Sequence, residues 1–192
     1  MDKKRTVSIG VLLVILVVLA VLFFRKGGRE EIKPSSEVTP PESELSSVKP
    51  GETRKITLFF PSEEDALLHT ERREIRAHRS EDQQAKQAVE ELLKGSKDGY
   101  LSPFPEETRL RELYITGEGV AYVDFSRELE QNHLSGSTSE MATVFSIVNS
   151  LTYNFKSIKK VFILIDGGER ETLGGHISLV HPFFPQYDLI AE

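Results

Sequence analysis

Between Val7 and Phe24 the chain runs eighteen residues without a charge, with Lys3, Lys4 and Arg5 before the run and Arg25 and Lys26 after it. As a helix rising about 1.5 Å per residue, this stretch spans roughly 27 Å, close to the hydrocarbon thickness of a bilayer. It has no polar face, so it does not read as an amphipathic helix of a soluble core. A cleaved signal peptide has a shorter apolar region that ends in a small-x-small site, whereas this run ends Leu22-Phe23-Phe24-Arg25. The sequence therefore predicts a cytoplasmic tail over residues 1–6 and an uncleaved signal-anchor helix over residues 7–24. The rest is expected outside the cytoplasm, on a single-pass protein of the cell membrane. Positive charge is nearly balanced across the run, so orientation follows from the short tail and the family resemblance below rather than from the charge bias.

Residues 25–53 change character: Gly27, Gly28, Pro34, Pro40, Pro41, Pro50 and Gly51 alternate with Ser, Thr and Glu. Such a segment buries too little apolar area to offset its ordering entropy, so it is expected to be a disordered Pro/Ser/Glu-rich tether. Residues 54–192 form one globular domain. They hold 16 Lys/Arg against 23 Asp/Glu, because 8 and 7 of the 24 and 30 lie before residue 54. An acidic domain lacks the basic footprint of a nucleic-acid binder. The absence of cysteine excludes disulfides, thiolate catalysis, Cys-based metal sites and a lipidated cysteine.

Within the domain, Lys55–Phe60 reads as a strand ended by Pro61, and Leu67–Arg79 as a charged strand suited to an edge. Ser80 and Gln83 match a capping box. Ala85, Ala88, Val89 and Leu92 then make one apolar stripe, and Gly95 fits a left-handed C-terminal position. Arg109–Thr116 and Val120–Asp124 read as strands joined by a tight turn at Gly117-Glu118-Gly119. A second capping box, Ser137 with Glu140, opens a helix through Met141, Val144, Phe145, Val148 and Leu151, with Lys156 and Lys159 at its positive end. Val161–Ile165 reads as a central strand and Thr172–Leu179 as a last one interrupted at Gly174-Gly175. The order β-β-α-β-β-α-β-β predicts an α+β, two-layer domain: a mixed sheet with two helices packed on one face.

These pieces carry a resemblance. Ile56–Pro61, the helix Ala85–Gly95, Val120–Ser126, Gly136–Glu140, Ile147–Thr152, Val161–Gly167 and Leu173–Ile177 occur in this order. Together they resemble the GerMN domain of sporulation and spore-germination proteins, over roughly Lys55–Pro182. The resemblance implies a non-catalytic module outside the cytoplasmic membrane; proteins of the spore-germination type often carry two such modules, and this chain has one, with no cofactor expected. It would act in cell-envelope or sporulation and germination assembly through contacts with envelope or sporulation proteins, or by self-association. The family-motif positions that would carry binding are Asp124, Phe125, Ser126, Gly136, Ser137, Glu140, Gly175 and His176.

Chemistry supports no catalytic set. Ser126 is not in a nucleophile elbow, and the expectation is that it caps a short helix while Asp124 accepts backbone N–H bonds. The five histidines show no HxH or HExxH spacing, so His176 with His181, Asp166 or Glu171 reads as structural rather than as a metal site. Arg72, Arg73, Arg76 and Arg79 form a possible basic contact surface for anionic wall polymer, lipid or an acidic partner. Phe183, Phe184 and Tyr187 either cover a sheet edge or form an exposed docking patch. A cell-wall glycan or peptide binding module is the alternative to assembly, and a hydrolase the remote third.

Overall fold

The computed structural model describes residues 51–192, within one compact unit, Glu44–Glu192. The expected tail, anchor helix and nearly all of the linker lie outside the described residues. Among the described residues no helix is long and apolar enough to cross a membrane.

β1 (Thr53–Pro61) and β2 (Leu68–Arg76) pair antiparallel, in register from Thr53↔Arg76 to Pro61↔Leu68. α1 (Glu81–Leu93) follows and buries Ala85, Ala88, Val89 and Leu92, as the spacing predicts. Gly95 ends it at φ +76, with its N–H on the Leu92 carbonyl at 3.1 Å. Ser80 occupies the N-cap position, but its hydroxyl makes no cap bond, contrary to the expected capping box. Glu81 and Asp82 in the first turn complement the positive helix end instead.

β3 (Leu110–Ile115) and β4 (Val120–Phe125) form a hairpin, with a register shift between Leu110 and Glu112. Its turn closes through Thr116 N–H to Val120 O and Gly119 N–H to Thr116 O, both 2.9 Å. A short α2 (Glu128–Gln131) and the long α3 (Ser137–Asn154) lead to β5 (Lys160–Ile165), which runs parallel to β4.

The strands form two sheets, β1-β2 and β3-β4-β5, not the single mixed sheet expected. The reason lies in α3. Asn154 meets the outer edge of β1 with both amide groups: Thr57 N–H donates to Oδ1 at 2.9 Å and Nδ2 donates to Thr57 O at 2.6 Å. One turn earlier, Ser150 Oγ accepts Phe59 N–H at 3.1 Å. Helix side chains thus satisfy the backbone groups that another strand would otherwise take. Gln87 of α1 treats β2 in the same way, bonding Arg76 N–H at 3.0 Å and Arg76 O at 3.2 Å.

Two further expectations change. β5 is an end strand of its sheet, not a central one. Its apolar run persists because its outer edge is covered by Phe183, which exchanges backbone bonds of 2.8 and 2.9 Å with Val161. Residues 172–179 make no strand, only a Thr172↔Ser178 bridge around a Gly174-Gly175 turn. From Phe183 the chain crosses α3, where Asn149 holds Gln186 by two bonds of 2.9 and 3.0 Å. A 3₁₀ turn, Tyr187–Leu189, then brings Ile190 beside Leu68 of β2. The tail therefore links the two sheets. Phe59, Phe60, Phe125, Phe155, Ile147, Leu151 and Ile163 are fully buried between these layers, each contributing about 1.5–3 kcal/mol of apolar burial.

Candidate functional site

The motif Gly136–Glu140 does not build the capping box that its spacing predicts. Gly136, at φ +133, is the N-cap of α3, and no side chain caps the helix. Glu140 turns inward and is wholly buried. Its Oε2 accepts His176 N–H at 3.1 Å and Ile177 N–H at 2.8 Å, and Oε1 accepts His176 Nδ1–H at 2.7 Å. Burial alone would raise this carboxyl. The N–H of Ile177, the His176 ring and the N–H groups of Gly174 and His176 outweigh it and hold the pKa down at about 2. The loop comes so close that a Cβ on Gly174 would lie 2.9 Å from Glu140 Oε1. Glu140 and His176 are therefore brought together, whereas the sequence analysis weighed His176 with His181, Asp166 or Glu171. The glycine pair allows the close approach, and the carboxylate that it meets bonds the 174–177 loop instead of capping α3 with Ser137.

Asp124, Phe125 and Ser126 end β4. Asp124 Oδ1 accepts Gly167 N–H at 2.8 Å, and Oδ2 pairs with Arg111 Nε at 3.2 Å. Asp166, at φ +55 just after β5, takes Arg111 and, at 2.8 Å, Arg127. Phe125 is core, its ring 5.8 Å from that of Phe104. Ser126 is not the expected helix cap. Its Oγ accepts Arg109 N–H at 3.0 Å, and its hydroxyl is the first cause of the lowered Glu128 pKa. It ties the start of β3 to the end of β4.

The basic stretch divides by strand alternation. Arg72, Arg76 and Arg79 are exposed, but Arg73 is buried, which corrects its place in the expected contact surface. Its guanidinium bonds Glu71 at 2.5 Å, Glu91 at 3.1 Å and the Gly95 carbonyl at 2.7 Å, 5.7 Å from the Phe60 ring centre. Glu71 also accepts Ser96 Oγ–H at 2.7 Å and Lys97 N–H at 2.9 Å. Burial opposes its ionisation, and these bonds together with Arg73 hold its pKa below the ordinary value.

Two cavities open on the described surface: one of about 530 Å³ lined by charged residues including Arg76, Lys86 and Glu90, and one of about 720 Å³ at the N-terminus of α3. Gly136 and Ser137 line the latter, with Pro103 and Phe104 on one side and His133 and Leu134 on another. No Asp, Glu, Lys or Arg lines it, in a chain whose residues are 28% charged. Leu134, 77% exposed, and Leu101, 41% exposed, stand at its rim. His133 is fixed by Leu134 O and Thr143 Oγ1, both at 2.8 Å. The sequence reading placed Gly136 and Ser137 but missed this pocket, because its other walls come from separate loops. Among the described residues, no group of three or more acidic or histidine side chains is arranged to hold a metal ion.

The comparisons agree with this architecture. The family described as Germane, sporulation and spore germination, matches residues 57–171. A crystal structure of a candidate lipoprotein from Clostridium perfringens is 25% identical, with a TM-score of 0.50 over 69% of this chain and 87% of that one. The tandem GerMN domains of the sporulation protein GerM from Bacillus subtilis are 24% identical, with a TM-score of 0.56 over 71% of this chain. This chain spans 48% of that pair, about half. The first GerMN domain of that protein alone is 23% identical, with a TM-score of 0.53 over 70% of this chain and 99% of its own length. No curated protein matches. The chain belongs to the Germane family, the GerMN-type domains of sporulation and spore germination.

Proposed function

We propose that this chain is a non-catalytic, membrane-anchored module acting outside the cytoplasm. Its role is in sporulation or cell-envelope assembly, through protein–protein contacts centred on the α3 pocket. The observation that carries the reading is the uncharged cavity rimmed by exposed Leu134 and Leu101. Its complement is an uncharged, apolar segment of a partner envelope protein, since burying an unpaired charge there would be costly. The polar residues of the family motifs are consistent with this role. Asp124, Ser126 and Glu140 are bonded to backbone or to neighbouring side chains, so these three are engaged in holding the fold. The family description and the sporulation protein among the similar structures point to the same process. Glycan stacking is less favoured. The rings of Tyr114 and Tyr122 stack on each other, 4.9 Å apart at 7°, which leaves fewer free ring faces for a sugar.

The test is in-cell cross-linking of the full-length protein, read by mass spectrometry, beside a control lacking residues 54–192 and the variant Leu134→Glu. Envelope or sporulation proteins should be captured by the native chain and lost from both controls. Capture unchanged by Leu134→Glu would move the interface away from the pocket. Recovery of wall fragments alone would replace assembly with wall binding.

A further inference from the structure

We propose that the end of the domain carrying Tyr153, Lys156, Lys159, Lys160, Phe184 and Tyr187 is a docking face for an anionic lipid surface. The inference rests on the membrane-anchored reading and goes beyond it by orienting the domain on the bilayer.

The residues make two contact groups that adjoin at Lys159 and Lys160. Tyr187 and Tyr153 meet edge to face at 6.3 Å. Lys156 Nζ lies 5.6 Å from the Tyr153 ring centre, Lys159 Nζ donates to the Lys156 carbonyl at 2.5 Å, and Lys160 Nζ lies 5.8 Å from the Phe184 ring centre. Phe184 is 65% exposed, Tyr153 48% and Tyr187 44%. Lys86 and Lys94 on α1 are tied to Glu112 and Glu91. Among the described residues, by contrast, no ion pair joins Lys156, Lys159 or Lys160 to a carboxylate. Acidic groups on the neighbouring segments are Glu118, Asp188 and Glu81, the last of which accepts Ser157 Oγ–H.

Two arguments select a lipid surface as the occupant. The first is charge. The domain is acidic overall, so an anionic membrane repels most of its surface, while three unpaired lysines set among aromatic rings are the chemistry that favours headgroups and the interfacial layer. The second is where the rest of the chain joins. Arg54, near the first described residues, bonds the Asn154 carbonyl and lies 4.7 Å from the Phe155 ring centre. β1 therefore begins beside the C-terminus of α3, next to Tyr153 and Lys156, so the chain before it joins the domain at this end.

The test uses the full-length chain with phosphatidylcholine vesicles, with and without phosphatidylglycerol. Flotation is measured together with acetylation of each lysine by mass spectrometry. With each lysine near an anionic surface giving roughly a fivefold gain in partitioning, Lys156, Lys159 and Lys160 should become several-fold slower to acetylate only when phosphatidylglycerol is present. Added salt should reverse the protection, and Lys156→Glu with Lys159→Glu should abolish it. Flotation on both vesicles without protection overturns the docking face and leaves the anchor standing. Flotation only with phosphatidylglycerol, lost in the lysine variants, supports the face and removes the anchor. A chain that floats with neither refutes both.

Discussion

Glu140 and His176, 36 residues apart, are joined at 2.7 Å through Oε1 and Nδ1, and the same carboxylate accepts the His176 and Ile177 N–H groups. An ionised carboxylate only accepts, so the proton of this bond sits on Nδ1. The arrangement makes Glu140 the fastener of the 174–177 loop and gives the domain a defined acid sensitivity. The carboxyl falls from an ordinary 4.5 to about 2 in the folded state. A depressed acid stabilises the fold above its unfolded pKa and loses that contribution as pH falls through the folded one. About 3 kcal/mol should therefore disappear between pH 4.5 and 2. In urea titrations across this range, Glu140→Gln should be less stable at neutral pH by about 1–3 kcal/mol. It should also show a flatter pH profile than the native chain. An equally steep profile in the variant would place the acid sensitivity elsewhere.

The amide of Asn154 stands in for a strand beside β1. Asn154→Ala leaves Thr57 N–H and C=O without their partner and should cost about 1–3 kcal/mol. Hydrogen exchange should rise at Thr57 well before it rises in β4, which Asn154 does not touch. Uniform acceleration across the domain would mean that β1 has no local opening of its own.

These two residues also mark how far the sequence could be read. Element types follow from local periodicity, and the stripe Ala85–Leu92 and the hairpin around Gly117–Gly119 are found where their spacing puts them. Which edges then pair is decided by single long-range contacts. Asn154 and Ser150 look like ordinary helix residues until α3 lies against β1, and nothing local distinguishes a helix-plugged edge from a strand-paired one. The same holds for Glu140. Its spacing from Ser137 suits a capping box, and only the tertiary approach of Gly174 reveals its other use. Asp124 accepts a backbone N–H and His176 is a hydrogen-bonded structural residue, as their sequence setting suggests, but the roles of Ser126 and Glu140 were not legible, because buried polar groups take whatever partners the packing supplies.

Adjacent arginines on β2 should behave oppositely. Arg72 is exposed, and Arg72→Ala should change stability by less than about 0.5 kcal/mol. Arg73 is 5% exposed and shares Glu71 and Glu91. Arg73→Ala removes a buried cation from two carboxylates and should cost about 3–5 kcal/mol. Thermal melts of the pair of variants decide this, and equal shifts would contradict the burial of Arg73.

The hairpin between β3 and β4 offers a matched test at two glycines. Gly119 has φ +81, and a Cβ there would lie 2.6 Å from the Ser157 carbonyl oxygen and 2.8 Å from Lys159 Cγ. Its own carbonyl accepts Lys159 N–H at 2.8 Å, so the turn is clamped onto the segment leading into β5 and has no room to shift. Gly119→Ala should therefore cost about 2–4 kcal/mol, combining a disfavoured backbone region with a main-chain clash. Gly117, two residues away in the same turn, would place a Cβ in open space. Gly117→Ala should stay within about 0.5 kcal/mol of the native chain. Urea midpoints for the two variants separate the explanations. A large loss at both positions would mean that the turn needs flexibility throughout, and a loss at Gly119 alone places the constraint in its contact with the α3–β5 connection.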